Sequence, residues 1–326
     1  MRHVFLLILL WATACAPVVR PMGPAVGDPF VSSDALTARD GVTLPLKSWL
    51  PGGKPRAVIV GLHGFNDYSN ALALPAAYWA DRDIATYAYD QRGFGGAPNR
   101  GYWAGTRAMA ADLRAAVIAV KQRHPGVPVH VVGVSMGGAG TMAALSRGPI
   151  KGIESAVLVA PAVWGRAHMN VFQRGALWLL SNTMPWFPLT GEGLNVTPSD
   201  NIPMLRALSR DSKIIHETRV DAVKGLVDLM DSAYGAAPSL NGTPILITYG
   251  LKDEIVPRAP TQDVMRRLPR TNGNRLALYE GGYHMMLRDT QAEILWNDIA
   301  AWILDRGAPL PSGADRRAEA LLARNQ

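Results

Sequence analysis

The sequence predicts an α/β protein with a mostly parallel, doubly wound sheet, and three observations support this prediction. Short runs of β-branched and aliphatic residues alternate with longer helical stretches. Most of these runs are apolar at successive positions, which is typical of strands covered on both faces. Hydrophobic residues make up 48% and charged residues 18% of the 326 residues, a composition that can fill a large core and excludes a disordered chain.

Six strands are predicted from the apolar runs that turn residues bound. They are Ala57–Leu62, Ile84–Tyr89, Val129–Val134, Ala156–Ala160, Ile245–Tyr249 and Arg275–Tyr279. Helices are predicted between them near Asn70–Arg82, Thr106–His124 and Met136–Arg147. Because neighbouring parallel strands need a crossover connection, the alternation predicts helices on both faces of the sheet.

The interval 161–240 breaks this alternation. It contains no convincing strand, and bulky apolar residues crowd its first half: Trp164, Phe172, Trp178, Leu179, Leu180, Trp186 and Phe187. We interpret the interval as a helical cap that lies over the sheet. An additional helical layer packed on the core is the alternative.

The N-terminus resembles a bacterial lipoprotein signal. A basic start precedes the apolar run Val4–Ala12, which is too short to span a bilayer, and small residues come directly before Cys15. Cys15 is therefore the expected lipidation site, although Leu is usual where Ala12 stands. A conventional signal peptide cleaved near Ala14 or Ala16 is the alternative. Either way we expect an exported protein of the cell envelope, anchored in a membrane (the outer one in a diderm cell) or periplasmic.

The expected organisation follows from these segments. It comprises a signal peptide (1–14), a proline- and glycine-rich tether with a lead-in (15–40), the first part of the core (41–160), the cap (161–240), the second part of the core (241–306) and a tail (307–326) that is a short helix or frayed. With Cys15 as the single cysteine, no internal disulfide is expected.

The charge distribution limits the expected partners. The formal net charge of +7 comes mostly from arginines scattered along the chain, and no basic run is long enough to predict a nucleic-acid site. A mildly basic surface is the simplest interpretation, with weak attraction to anionic lipid headgroups as the alternative. We expect no nucleic-acid partner and no obligate protein partner.

Four glycines lie within five residues of Ser135 in the stretch HVVGVSMGGAGTMAAL. Its spacing is G-x-S-x-G, whereas phosphate and dinucleotide loops need other glycine spacings. The pattern lies between a predicted strand and a predicted helix, where it indicates a nucleophile elbow that lifts the serine hydroxyl to the helix N-terminus. A plain glycine turn is the alternative.

A serine nucleophile needs a base, and the base needs an acid that holds its tautomer. In this architecture the chain order is serine, acid, histidine. Three histidines follow Ser135, and two of them, His168 and His216, lie in the predicted cap. His284 follows the last strand on a glycine-rich loop and is the predicted base. The turn after Ile245–Tyr249 supplies the acid, with Asp253 predicted and Glu254 as the nearest alternative.

Two backbone N–H groups are predicted to form the oxyanion hole. One belongs to Met136, at the N-terminus of the helix that follows the nucleophile. The other belongs to Phe65, in the LHGFND loop after the strand Ala57–Leu62. His63 in this loop precedes the serine in the chain, so we expect it to shape the loop rather than act as the base.

Five motifs in this order, LHGFND, YDQRGFGGAPNRG, GVSMGGAG, YGLKDEIVP and GGYHMML, resemble the α/β-hydrolase fold. The similarity covers about residues 44–303 and is greatest to the monoacylglycerol lipase and lysophospholipase branch, which is grouped with serine aminopeptidases. It implies a cap inserted after the sixth strand of that fold, the triad Ser135, Asp253 and His284, and oxyanion donors Phe65 and Met136. Asp90, Arg92 and Gly93 would form a scaffold turn beside the nucleophile.

The resemblance implies an ester hydrolase that forms an acyl-enzyme on monoacylglycerols, lysophospholipids or similar small amphiphilic acyl esters, without a metal or organic cofactor. Phe65 is larger than the residue that this branch often has there, and we expect it to narrow the acyl pocket. A serine aminopeptidase is the alternative, in which a pair among Glu192, Glu217, Asp221 and Asp228 would hold the substrate amine. A non-catalytic binding lipoprotein is a further alternative.

Overall fold

A computed structural model describes residues 16–191, 193, 195–270 and 273–323. Its strands are β1 (Phe30–Val31), β2 (Ala35–Thr37), β3 (Thr43–Trp49), β4 (Ala57–Leu62), β5 (Ile84–Tyr89), β6 (Val129–Val134), β7 (Ile153–Val159), β8 (Pro188–Leu189), β9 (Thr218–Arg219), β10 (Ile245–Gly250) and β11 (Arg275–Tyr279). Its α-helices are α1 (Ala73–Ala80), α2 (Thr106–Arg123), α3 (Met136–Leu145), α4 (Val171–Thr183), α5 (Ile202–Leu208), α6 (Val220–Ala236), α7 (Arg258–Arg267), α8 (Ala292–Leu304) and α9 (Ala314–Ala323).

A nine-stranded sheet with the order β1-β2-β3-β5-β4-β6-β7-β10-β11 forms the centre of the fold. From β5 to β11 all neighbours pair in parallel, and β1, β2 and β3 pair antiparallel at one edge. The prediction of a mostly parallel, doubly wound sheet is confirmed, and all six predicted strands are present. The three antiparallel strands were missed, because β3 alternates apolar with polar residues and contains Pro45.

Two buried clusters cover the two faces of the sheet. In β4, Val58 and Val60 point into a cluster that includes Leu113 of α2, whereas Ile59 points into a second cluster with Trp79 of α1. Because successive side chains of a strand point to opposite faces, β4 is apolar at every position. This burial on both sides explains why the parallel strands could be found from the sequence.

The interval 161–240 contains α4, α5 and α6 together with the two-stranded antiparallel ribbon β8–β9. The ribbon corrects the expectation that this interval holds no strand; each of its strands has only two residues, which is too short for a periodic signal. Helix α6 packs on the core helix α3 through buried residues such as Val227 and Leu229. Helix α4 packs on α6 and exposes most of its residues. The core-layer interpretation therefore fits α6, and the cap interpretation fits α4.

The proline- and glycine-rich segment expected to be a tether lies against the body. We call residues 18–27 the N-terminal strap. The N–H of Val18 donates to Asp221 Oδ2 (3.1 Å), and the N–H of Arg20 donates to the carbonyl of Trp103 (2.8 Å). The N–H of Gly23 donates to Asp40 Oδ2 (3.0 Å). These bonds correct the tether prediction for this part of the chain. The signal peptide and Cys15 lie outside the described residues.

The C-terminal segment is helical rather than frayed. Leu310 and Ala318 are buried against the sheet, and the Arg317 side chain donates to the carbonyl of Leu278 in β11. Asp298 of α8 accepts hydrogen bonds from the N–H and hydroxyl of Ser312, which hold the start of this segment. Across the described ranges, no helix has the length and hydropathy that a membrane span needs.

Candidate active site

Ser135 lies at the sharp turn between β6 and α3. Its backbone has φ 50° and ψ −110°, a strained conformation for a residue with a side chain. Gly133 and Gly137 make this turn possible: a Cβ on Gly133 would lie 2.5 Å from the Gly137 carbonyl oxygen, and a Cβ on Gly137 would lie 2.5 Å from that of Leu62. The G-x-S-x-G spacing therefore reflects close backbone packing, as in a nucleophile elbow.

The structure brings the three predicted triad residues together. His284 Nε2 lies 3.0 Å from Ser135 Oγ, and His284 Nδ1 lies 2.8 Å from Asp253 Oδ2. A carboxylate accepts a hydrogen bond, so Nδ1 carries the proton and Nε2 can accept the serine proton. The Asp253 carboxylate is fully buried, and its Oδ1 accepts the N–H groups of Ile255 and Val256. These bonds fix the carboxylate toward His284.

The alternatives for the acid and the base lie elsewhere. Glu254 is exposed and accepts the N–H of Thr197 at 2.6 Å. His168 is exposed and stacks edge-on against Tyr234, and His216 is exposed on the surface of the cap. Among the candidates, Asp253 and His284 are therefore the pair that the structure places in a continuous hydrogen-bonded chain with Ser135.

The two predicted oxyanion donors lie beside the serine. Met136 is the first residue of α3, so its N–H has no carbonyl four residues earlier in the helix to bind. Gly64, which precedes Phe65, is so close to Ser135 that a Cβ on it would lie 3.5 Å from the serine Cβ. The Phe65 ring lines the neighbouring cavity and packs edge-on against Phe94 at 5.5 Å.

His63 supports the loop that carries Phe65. It is fully buried, its Nε2 accepts the N–H of Gln91, and its Nδ1 lies 2.7 Å from the carbonyl of Gly64. The Gln91 side chain donates back to the His63 carbonyl. Burial lowers the pKa of His63, so the ring is neutral and its Nδ1–H donates to Gly64. The contacts are those of a residue that shapes the loop.

The scaffold turn lies behind this loop. Asp90 is buried and accepts the N–H groups of Ser69 and Gly96, and Arg92 forms ion pairs with Asp40 and Asp112. These contacts join the turn after β5 to neighbouring loops and to α2.

A cavity of about 450 Å³ opens at the Ser135 hydroxyl. Most of its lining is apolar and comes from the sheet ends and the cap: Phe65, Val134, Trp164, Met169, Val223, Leu226, Val227, Met230, Ile255 and Leu287. Its size lies in the usual range for small-molecule sites. The Ser135 side chain therefore faces a space suited to an apolar group.

One ion pair lies in this apolar wall, and sequence reasoning missed it. Arg288 Nη2 lies 2.8 Å from Asp67 Oδ2, and both side chains are largely buried. The Arg288 Nε–H also points to the carbonyl of Ala71 at 3.3 Å. The sequence did contain an indication of this ion pair, because Asp67 lies two residues after Phe65 and Arg288 lies four residues after His284.

The carboxylates considered for binding a substrate amine are directed elsewhere. Asp221 accepts hydrogen bonds from the Arg219 side chain and from Val18, and Asp228 pairs with Arg166 and Lys224. Glu217 is exposed, and Glu192 lies outside the described residues. None of the three described carboxylates lines the cavity at Ser135.

A comparison with protein families identifies the family of this chain. The family model described as serine aminopeptidase, S33, matches residues 53–291. The chain belongs to this family. Its members are hydrolases, and the S33 match spans the elbow, the acid turn and the histidine loop. This S33 protein is thus a hydrolase with an α/β-hydrolase fold, as the sequence motifs predict.

Curated relatives of this S33 chain include two lipases. It is 26% identical over 267 residues to monoacylglycerol lipase of Mycolicibacterium smegmatis. This alignment covers 81% of this chain and 94% of the relative. It is 25% identical over 299 residues to human monoglyceride lipase, covering 86% and 93%. Among solved structures, a soluble variant of Saccharomyces cerevisiae monoglyceride lipase superposes with a TM-score of 0.72 at 18% identity, over 89% of this chain and all of that one.

Proposed function

We propose that this protein is a serine carboxylic-ester hydrolase that acts through an acyl-enzyme on amphiphilic acyl esters, with monoacylglycerols as first candidates and lysophospholipids as second. The observation that carries the proposal is the Ser135–His284–Asp253 chain of hydrogen bonds at the end of an apolar cavity. The names of the curated relatives support an acylglycerol substrate.

Acylation uses the hydrogen bonds already present. Ser135 Oγ attacks the ester carbonyl carbon while His284 Nε2 accepts the hydroxyl proton. The charge that develops on the imidazole is stabilised by Asp253, which accepts from Nδ1 at 2.8 Å. The carbonyl oxygen becomes an oxyanion and accepts the N–H groups of Met136 and Phe65, each donor contributing about 3 kcal/mol to the transition state. The tetrahedral intermediate collapses as His284 gives its proton to the leaving alcohol.

Deacylation repeats these steps with water in place of the serine. His284 removes a proton from a water molecule, the resulting hydroxide attacks the acyl carbon, and the same two N–H groups hold the second oxyanion. The proton then returns from His284 to Ser135 Oγ as the carboxylic acid leaves. The apolar lining of the cavity suits the acyl chain, because burying each methylene contributes about 0.8 kcal/mol.

The charges around the cavity favour an ester over a peptide substrate. An aminopeptidase needs an unpaired carboxylate near the nucleophile to hold the substrate amine. Asp67 is the acidic side chain among the described residues that line the cavity, and it is paired with Arg288. The cavity wall therefore offers no free negative charge from the described residues, which suits a substrate without a cationic group.

We also propose that the enzyme is exported and anchored through lipid on Cys15, in a cell-envelope membrane. The proposal rests on the apolar run Val4–Ala12 and the small residues before Cys15. Mass spectrometry of the protein purified from membranes tests it. An acylated Cys15 at the mature N-terminus is expected, and a mature chain that begins at another residue without lipid would contradict it.

The ester-hydrolase proposal is tested by initial rates on p-nitrophenyl esters from acetate to palmitate, followed by monoacylglycerols and amino-acid p-nitroanilides. Serine-dependent ester hydrolysis with little amide hydrolysis is expected, and Ser135→Ala should fold normally and lose turnover. Rates on anilides above those on every ester would support the peptidase instead. No turnover of any substrate would favour the non-catalytic binding lipoprotein, and undiminished activity in Ser135→Ala would refute the nucleophile.

A further inference from the structure

The loop that carries the predicted oxyanion donor Phe65 is a tight turn. The N–H of Asp67 donates to the carbonyl of Gly64 at 3.3 Å, so Phe65 and Asn66 are the two central residues of a β-turn. Asn66 has φ 62°, in the left-handed region, whereas Phe65 has a negative φ. Positive φ at the second central residue alone is typical of a type II turn, in which that residue is usually glycine or asparagine. The conformation of Asn66 therefore determines the shape of the turn that presents the Phe65 N–H.

The Phe65 N–H finds no backbone carbonyl acceptor among the described residues. It can therefore donate to a substrate oxygen, as an oxyanion donor must. Since no such bond fixes its direction, that direction depends on the residues on either side. His63 supports the side before Phe65 through its bond to Gly64, and Asn66 lies directly after Phe65.

The cap binds Asn66 through two groups. The Asn66 side-chain Nδ2 donates to Thr218 Oγ1 at 2.6 Å, and the Asn66 carbonyl accepts the N–H of Ile215 at 3.0 Å. Thr218 lies 152 residues further along the chain. Thr218 and Ile215 are both buried, so water cannot readily replace these bonds when one partner is removed. The conformation of Asn66 is thus supported from the cap.

Thr218 belongs to an anchored part of the cap. It lies in β9 and pairs with Leu189 of β8, and the N–H of Val220 donates to the carbonyl of Phe187 at 3.1 Å. Helix α6 starts at Val220 and packs on α3, whose first residue is Met136, the second predicted oxyanion donor. The side chain that holds Asn66 is therefore connected through α6 to the helix that carries the other donor.

Other hydrogen bonds also join this part of the cap to the body. Tyr68 Oη donates to Asp211 Oδ2 at 2.7 Å, and Arg100 Nη2 donates to the carbonyls of Ser212 (2.7 Å) and Ile214 (3.0 Å). Removing the Thr218 hydroxyl would therefore leave the cap attached. The effect of such a change should fall on Asn66 and on the turn to which it belongs.

We infer that Thr218 is a positioning residue that acts through Asn66 and sets the direction of the Phe65 N–H toward the oxyanion. The inference rests on the proposed function, because it adds a residue to the same acyl-transfer site. Neither Thr218 nor Asn66 lines the cavity, so their effect on the reaction is indirect. A misplacement of about 1 Å in a catalytic site can lower the rate about 100-fold, so a partial displacement of one donor should lower kcat about tenfold.

The test compares two substitutions of Thr218 on p-nitrophenyl butyrate. Thr218→Val removes the hydroxyl at nearly constant shape, and Thr218→Ser keeps it. The matched control is Thr261→Val, because Thr261 is also buried and donates to the carbonyl of Pro257 at 3.2 Å. We expect Thr218→Val to lower kcat about tenfold and leave KM within about twofold, since the oxyanion exists only after the serine attacks. Thr218→Ser and Thr261→Val should keep kcat within about twofold of wild type.

Asn66→Gly tests the other end of the hydrogen bond and serves also if Thr218→Val does not fold. Glycine adopts the left-handed conformation readily but lacks the side-chain amide. We expect Asn66→Gly to lower kcat by about the same factor as Thr218→Val. The double variant should lose little more than either single one, because each change removes the same bond. Losses that multiply fully in the double variant would contradict the inference.

Labelling of Ser135 with a fluorophosphonate separates this inference from the proposed function. Ser135 Oγ attacks phosphorus, fluoride leaves and His284 Nε2 accepts the hydroxyl proton, while the phosphoryl oxygen takes the place of the oxyanion. The labelling rate therefore reports on the donors without an ester substrate. If the wild type is labelled but hydrolyses no ester, the proposed function fails, and labelling about tenfold slower in Thr218→Val would support the inference.

Three results would overturn the inference. In the first, Thr218→Val keeps the wild-type rates of hydrolysis and labelling. In the second, Thr218→Ser loses as much activity as Thr218→Val, which would assign the effect to packing. In the third, the loss in Thr218→Val is confined to KM. A wild-type chain that neither hydrolyses esters nor reacts with the fluorophosphonate would refute both the inference and the proposed function.

Discussion

The guanidinium of Arg288 and the carboxylate of Asp67 meet at 2.8 Å in the wall of an otherwise apolar cavity. Asp67 lies two residues after Phe65, and Arg288 lies four residues after His284. The ion pair thus joins the loop that carries Phe65 to the loop that carries His284. The carbonyl of Arg288 also accepts the side-chain amide of Asn201, which brings the cap into the same junction.

Arg288→Met should destabilise the protein by about 3 kcal/mol or more, because it leaves the Asp67 carboxylate buried without its partner. Urea unfolding measures the change. Arg166→Met is the matched control, since the Arg166 ion pairs are about one-third exposed and each contributes about 1 kcal/mol or less. The double variant Asp67→Asn/Arg288→Met should recover part of the loss. Equal effects in the two single variants would mean that the buried pair contributes no more than a surface pair.

Asp253→Asn should lower kcat about 10⁴-fold, because an amide in place of the carboxylate no longer holds the Nδ1–H tautomer of His284. The adjacent Glu254→Gln tests whether the effect is specific, since Glu254 is exposed and binds the N–H of Thr197. We expect its kcat to be nearly unchanged. Ester hydrolysis by the two purified variants measures both. A larger loss in Glu254→Gln than in Asp253→Asn would reverse the assignment of the acid.

The sequence predicted the site residues because the topology fixes where they meet. Ser135, Asp253 and His284 follow β6, β10 and β11, and the carboxyl ends of parallel strands lie at one edge of a sheet. Strands buried on both faces, such as β4, also give a continuous apolar signal. The residues at the strand ends and the strands buried on both faces could therefore be predicted without the structure.

Other features depended on partners far along the chain. Strand β3 reads TLPLKSW, and only its pairing with β2 and β5 makes it a strand. The strap reads as a flexible tether because its proline and glycine content is typical of linkers, and its hydrogen bonds are to Asp221, Trp103 and Asp40. No local pattern indicates such contacts.

Gly137→Ala should disturb the elbow, because the added Cβ would lie 2.5 Å from the backbone oxygen of Leu62, which cannot rotate away. We expect a loss of about 2 kcal/mol or more in unfolding free energy, together with a lower kcat, since Leu62 leads into the loop that carries Phe65. Gly140→Ala in the same helix is the control. Its added Cβ would meet no side chain or backbone from beyond its immediate helical neighbourhood within 4 Å, so the change should stabilise α3 by about 0.5–1 kcal/mol. Similar losses in both variants would show that the Cβ contact with Leu62 is not what makes Gly137 necessary.

His130 should make stability depend on pH. It lies in β6, its Nδ1 is 2.8 Å from Ser155 Oγ, and burial, with a smaller effect of Arg306, lowers its pKa from 6.5 to about 4. The unfolded chain therefore binds a proton between these two values while the folded chain does not, and stability falls as the pH drops through that window. From about pH 7 to about pH 5, His130 should account for a loss of about 2 kcal/mol in unfolding free energy.

Urea unfolding of wild type and His130→Asn at both pH values measures this difference. The contribution of His63, whose pKa is also lowered, cancels between the two proteins. An equal pH dependence in both would mean that His130 is protonated in the folded protein as easily as in the unfolded chain.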